Sequence, residues 1–251
     1  MRKLFSMTAA VALAFGAVPA SAQSTVAVAV ANASARTEAN VKLDESRKPA
    51  EVLKFLGLKP GMRVSDPFGG NFYWAEITAP AVGPKGRVSI WEPRQFYSQK
   101  MYDNLQAVKA KHPNVWMRVS PMESPDLPAN AYDFMLINLD YHDVYWESAK
   151  YGITRMDPDQ WLKTVYAAMK PGAVVGIIDH VAAPGDTRAT VEKLHRIDPA
   201  VVKADFERAG FKLEAESDML RNKADDHSLN VFDPKIRGKT DRFVLKFRKP
   251  R

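Results

Sequence analysis

The residues able to do chemistry fall in three places, each a short polar or glycine-bearing stretch directly behind an apolar run. The first is Val64-Ser65-Asp66-Pro67-Phe68-Gly69-Gly70-Asn71-Phe72. A carboxylate followed by glycines that lead into a helix lets the main chain approach a ligand where a Cβ would clash. Glu92 follows about twenty residues later, behind Arg87-Val88-Ser89-Ile90-Trp91. A carboxylate at that spacing can accept hydrogen bonds from the hydroxyls of a bound ribose. Glu123, in the proline-broken loop 120–129, could lie beside the base of such a ligand; an ordinary polar loop residue would look the same.

The second place is Asp140-Tyr141-His142-Asp143, behind the almost wholly apolar run 132–139. The chemistry there is proton transfer. His142 is a candidate general base because free imidazole titrates near neutrality, and Asp140 stands beside it. A loop histidine bonded to a backbone carbonyl is the plainer alternative. Tyr141, Tyr145 and Trp146 either line a substrate pocket or pack into the core. The third place is Asp179-His180, behind the apolar run 173–178. Asp140, Asp179 and His180 together offer two carboxylates and an imidazole at neighbouring strand ends, a donor set for a divalent cation. His195, Arg196 and Asp198 form one more polar cluster, in which Asp198 reads as a helix cap.

The elements that must position these groups alternate. Residues 44–58 carry Val52, Leu53, Phe55 and Leu56 at helical spacing, stopped by Gly57 and Lys59-Pro60-Gly61. Strands are expected at 63–66, 87–91, 115–119, 132–139 and 173–178. Helices are expected at 72–79 and 96–111, from Asp157-Pro158-Asp159-Gln160 to about residue 169, and from Asp198-Pro199 to Gly210. A strand at 211–217, a polar stretch at 221–240 and an alternating strand at 242–247 complete the chain. The polar stretch is too long for plain connection. This order predicts one α/β domain with a doubly wound, mostly parallel sheet. In such sheets ligands bind beyond the carboxyl ends of the strands, where all three chemical stretches lie.

The 251 residues include no cysteine, which excludes disulfides, thiolate metal sites and a cysteine nucleophile. No Gly-x-Ser-x-Gly elbow supports a hydrolase. The formal charge of +7 is spread along the chain, with one dense basic run at Lys246, Arg248, Lys249 and Arg251, so no nucleic-acid partner is expected. Arg2 and Lys3, an apolar run at 7–18 and Ala20-Ser21-Ala22 read as a signal peptide over 1–22, cleaved after Ala22. The chain is therefore expected to be exported, to a bacterial periplasm, without a membrane span. Residues 23–43 are expected to be flexible, and 44–251 to form the domain. Oligomeric state is not legible.

Over 44–246 the chain resembles the class I S-adenosylmethionine-dependent methyltransferases. Val64-Ser65-Asp66-Pro67-Phe68-Gly69-Gly70 matches the cofactor glycine motif, and Ser89-Ile90-Trp91-Glu92 the acidic ribose motif. Tyr132-Asp133-Phe134-Met135-Leu136-Ile137 matches the central strand, and Met169-Lys170-Pro171-Gly172-Ala173-Val174-Val175 the entry to the next. Asn71 stands where the family has a final glycine. Arg47-Lys48-Pro49-Ala50-Glu51, Leu194-His195-Arg196-Ile197-Asp198-Pro199 and Arg237-Gly238-Lys239-Thr240-Asp241-Arg242 are similar to an exported branch of that family. The resemblance implies a Rossmann-like fold with an antiparallel last strand, S-adenosylmethionine as cofactor and a small-molecule methyl acceptor. Asp66, Phe68, Gly69, Gly70, Glu92 and Glu123 would bind the cofactor, and His142 and Asp140 would act in catalysis. Leu139 to Asp143 and the stretch from Ile178 onward also look similar to the metal strands of catechol-type O-methyltransferases, which would make Asp140, Asp179 and His180 the ligands of an additional divalent cation. The alternative is a non-catalytic periplasmic ligand-binding protein that retains the fold.

Overall fold

The computed structural model describes residues 25–251, and the expected signal peptide lies outside them. Seven strands form one sheet: β1 (Arg63–Pro67), β2 (Arg87–Pro93), β3 (Val115–Ser120), β4 (Tyr132–Asn138), β5 (Met169–His180), β6 (Lys212–Ser217) and β7 (Arg242–Arg248). Their spatial order is β3-β2-β1-β4-β5-β7-β6. Strands β1 to β5 pair in parallel, and β7 is antiparallel to both β5 and β6. The doubly wound sheet with an antiparallel last strand is thus as the sequence predicts.

The period-2 geometry of a strand divides the core. On β4, Phe134 and Leu136 point to one face, where they join Leu53, Leu56, Ile77 and Val88. Met135 and Ile137 point to the other, where they join Trp91, Trp161, Val165 and Phe206. A central strand covered on both sides must be apolar throughout, which explains why 132–138 lacks the polar alternation of a half-exposed strand.

Among the described residues, nine α-helices flank the sheet: α1 (Thr25–Ala31), α2 (Glu38–Val41), α3 (Asp44–Arg47), α4 (Pro49–Leu56), α5 (Tyr73–Val82), α6 (Gln99–Lys111), α7 (Pro158–Ala168), α8 (Thr187–Leu194) and α9 (Pro199–Arg208). Their starts follow capping chemistry. Ser98, Asp157, Asp186 and Asp198 each accept a hydrogen bond from an amide of the first turn. No helix among the described residues is long and apolar enough to cross a membrane.

Three expectations need correction. Residues 25–41 are folded, not flexible: Val26 and Ala29 are buried and α1 packs on α5. The segment is anchored by polar groups as well. Thr37 donates its amide to Glu76, and Asn40 Nδ2 donates to Glu76 Oε2 at 2.9 Å. A glutamate buried in α5 needs donors, and the N-terminal segment supplies them. The expected helix 44–58 is two helices. Pro49 disfavours helical geometry at the preceding residue, and Lys48 turns left-handed at φ 45° to separate α3 from α4. Helix α8 (Thr187–Leu194) lies in a stretch for which no element is expected.

The long connection 218–241 is pinned by a buried guanidinium. Arg196 is fully buried and makes a two-pronged ion pair with Asp225, both contacts at 2.9 Å, while its Nε donates to Leu229 O at 3.0 Å. Asp225 also accepts the amide of Asp241 at 2.7 Å. Removing one member of a buried pair leaves the other charge uncompensated. Asp225→Ala should therefore lower unfolding free energy by about 3–5 kcal/mol in urea titrations. Amide exchange should accelerate first within 218–241, ahead of the sheet.

Candidate active site

Asp66, Glu92, Asp140 and Asp179 stand at the carboxyl ends of β1, β2, β4 and β5, so the sheet gathers them along one edge. The turn after β1 is built around close approach. Gly70 N–H donates to Glu92 Oε2 at 3.0 Å. A Cβ at Gly70 would stand 2.6 Å from that oxygen and would also collide with Met101. A Cβ at Gly69 would stand 2.5 Å from Asp66 Oδ2. The glycines are therefore needed for space. The left-handed positions of the turn belong to Phe68 and Phe72, at φ 58° and 61°. Asn71 needs no left-handed backbone; its Oδ1 accepts the Tyr73 amide at 2.9 Å and so helps start α5.

Asp66 and Glu92 are both buried, and Asp66 Oδ2 has no hydrogen-bond partner. Burial pushes Asp66 up to about 8, and the neighbouring Glu92 adds to the rise. Burial likewise pushes Glu92 up to about 7, against the stabilising Gly70 amide. The positive group facing Asp66 is one that sequence reasoning missed. Arg47 lies over the Tyr73 ring at 4.3 Å, feels the charges of Asp66 and Asp140, and leaves its buried Nη1 without a partner. Its signal was its place just before Lys48-Pro49, a helix break that brings a cation to the crevice.

At the other end, Asp179 links β4 to β5. Its Oδ1 meets His142 Nδ1 at 2.8 Å and accepts the His180 amide at 2.8 Å; its Oδ2 accepts the His142 amide at 3.0 Å. Burial works against a charged His142, but Asp179 and Asp143 outweigh it and raise the ring to about 9. Burial also raises the Asp140 carboxyl well above its usual range, and Asp143 adds to the rise. His180 turns away: its Nδ1 is 2.7 Å from Thr240 Oγ1, and burial pushes it down to about 3.

The structure thus brings together Asp66, Gly69, Gly70 and Glu92, with Phe68 edge-on to Trp91 at 5.1 Å. Glu123 stays outside this group, exposed and accepting from Gln95 at 3.2 Å. Asp140, Asp179 and His180 do not converge as ligands, because Asp179 is spent on His142 and His180, and His180 on Thr240. Tyr141 is core: it is fully buried and donates to Asp205 Oδ2 at 2.8 Å, as Tyr145 does at 2.6 Å. His195 does reach the site, coming within 3.6 Å of Asp143, while Arg196 points into the loop pins.

No protein-family model matches the sequence, and no curated protein matches it. Solved structures do match. A SAM-dependent methyltransferase from Aquifex aeolicus superimposes with a TM-score of 0.57 at 20% identity, over 85% of this chain and 94% of that one. A Burkholderia thailandensis 1,6-didemethyltoxoflavin-N1-methyltransferase, solved with that compound and S-adenosylhomocysteine bound, gives 0.53 at 13% identity, over 84% and 80%. The cyclase SpnF gives 0.56 at 17% identity, over 82% and 81%. At these identities the likeness shows the fold, which is that of SAM-dependent methyltransferases.

The raised carboxyls set a pH dependence. An acid whose folded pKa lies above its unfolded value keeps its proton in the folded chain while the unfolded chain ionises, so stability falls as pH rises between the two. For Asp66 that window runs from 3.8 to about 8. Between about pH 5 and 6.5 Asp66 makes stability fall as pH rises, while His180, held neutral at about 3, acts the other way, so the Asp66 share is read by comparing the pH slopes of denaturation free energy in wild type and variant. Asp66→Asn should give the more positive slope.

Proposed function

We propose that the chain is an S-adenosylmethionine-dependent methyltransferase acting on a small-molecule acceptor outside the cytosol. The observation that carries this reading is the Asp66–Glu92 pair across the glycine turn. Both carboxyls are buried, and one of them has an oxygen that meets no donor. A ligand with ribose hydroxyls and an ammonium group supplies the donors that these acids lack. Arg47 extends the fit, since its unpartnered Nη1 suits a carboxylate. S-adenosylmethionine has all three features, and when bound it would supply an electrophilic methyl group.

The remaining work falls to the chain. Gly69 and Gly70 keep side-chain bulk out of the turn, and Glu92 Oε1 is left for a ribose hydroxyl while Oε2 holds the Gly70 amide. Asp66, Glu92 and Arg47 would fix the cofactor's orientation, on which methyl transfer chiefly depends. Asp140 and His142 stand at the acceptor end. Methylation of an O–H or N–H group requires the acceptor's proton to leave, and Asp140, made more basic by burial, would take it once ionised. The small compound bound to the Burkholderia neighbour supports an acceptor of that class. The leader read over 1–22 supports export, with Gln23 as the first mature residue.

Calorimetry of the full chain should give one-site binding of S-adenosylmethionine and of S-adenosylhomocysteine. Glu92→Ala and Arg47→Gln should each weaken it by about 1.5–3 kcal/mol, the loss expected for hydrogen bonds to charged groups. No heat and no thermal shift with either compound overturns the reading. Binding with no methyl transfer across a panel of acceptors would favour a ligand-binding protein on the same fold.

A further inference from the structure

We propose that His142, Asp143 and His195 form a site for a divalent transition-metal ion, at the acceptor end of the crevice. One ring nitrogen of His142, a carboxylate oxygen of Asp143 and one ring nitrogen of His195 all lie within 4.8 Å of one another. Asp143 Oδ1 is 3.3 Å from His142 Nε2 and 3.6 Å from His195 Nδ1. Ligand atoms bound to one zinc at about 2.0–2.1 Å with tetrahedral angles stand about 3.3–3.4 Å apart. The spacing is that of atoms sharing a cation between them. It is long for a hydrogen bond, and Asp143 Oδ1 is a buried oxygen with no hydrogen-bond partner.

The surroundings hold the donors in that arrangement. Asp179 occupies His142 Nδ1 at 2.8 Å and the His142 amide at 3.0 Å, which fixes the ring and aims Nε2 at Asp143. A histidine that ligates a metal commonly gives its other nitrogen to a carboxylate in this way. His195 adopts φ 50° at the end of α8, and its ring is flanked edge-on by Trp146 at 5.0 Å and Phe232 at 5.1 Å. Two elements far apart in sequence, the turn after β4 and the end of α8, are thereby clamped face to face.

Two imidazoles and one carboxylate suit zinc or ferrous iron and are a poor set for magnesium or calcium, which prefer oxygen throughout. Three protein ligands leave a coordination position open, as catalytic sites do. An acceptor oxygen or nitrogen entering that position would be polarised beside Asp140. The proposal rests on this cluster alone and stands independently of the cofactor reading.

The test uses tag-free full-length chain, stripped with chelator and titrated with Zn²⁺ or Mg²⁺ by calorimetry, with metal content measured after dialysis. The expected result is one tightly held zinc per chain and no comparable uptake of magnesium. His195→Gln and Asp143→Asn should each weaken zinc binding by at least about 100-fold, the upper end of what losing even an outer-sphere partner costs. A Co²⁺-loaded chain should show visible absorption bands that both variants lose. Far-UV circular dichroism should match wild type in both variants, which separates ligand loss from misfolding. Zinc uptake well below one per chain, or uptake unchanged in both variants, overturns the proposal. S-adenosylhomocysteine binding measured on the same samples keeps the two readings apart: zinc without cofactor sinks only the methyltransferase, and cofactor without zinc sinks only the metal site.

Discussion

The carboxylate of Asp179 is the constraint on which the β4–β5 end of the crevice depends. It is fully buried, so its charge must be matched and its lone pairs filled. His142 does both, with its ring and its amide, and the His180 amide adds a third donor. That arrangement fixes where the chain turns after β4, and hence where Asp140 and Asp143 stand. It also opposes the paired acids on β1 and β2. Asp179 is kept ionised by its neighbours, while Asp66, Glu92 and Asp140 are pushed towards neutrality by burial. Along a single edge, environment alone divides the acids into two kinds.

Much of this architecture is legible in the sequence because the sheet imposes simple demands. Buried parallel strands need apolar runs, and 134–137 and 173–178 are such runs. Proline and aspartate mark the starts of α7 and α9 without ambiguity. The stretches that escaped lack that contrast. Residues 25–31 alternate valine and alanine, which shows no helical period, and they fold because small side chains fit against α5. Helix α8 buries only Val191, too little apolar surface to reveal a face.

The site was legible in part, for a related reason. Asp66, Gly69, Gly70 and Glu92 are local to strand ends, so spacing finds them. Arg47 and His195 act across long sequence separations, and nothing near either residue states its destination. The reverse error also has a cause. Asp140, Asp179 and His180 sit at adjacent strand ends, but a buried carboxylate satisfies the nearest donors first, and those are backbone amides and one imidazole. Tyr141 stood open between pocket wall and core because an aromatic residue beside a strand end can turn either way; its hydroxyl found Asp205, and it turned inward.

The segment from Arg36 to Lys48 has a kinetic meaning. It is tied down by polar contacts: Arg36 to Asp44 at 2.7 Å, Tyr73 to Asp44 at 2.8 Å, and Asn40 to both Glu76 and the Asn71 carbonyl. The neighbouring α4 is instead seated by Val52, Leu53 and Leu56 in the main core. Local opening costs only the contacts of the unit that opens, so this segment can release while the sheet stays intact. It carries Arg47 and touches the glycine turn. A ligand held through Arg47 would leave at a rate set in part by that opening, so that residence and equilibrium affinity would change separately.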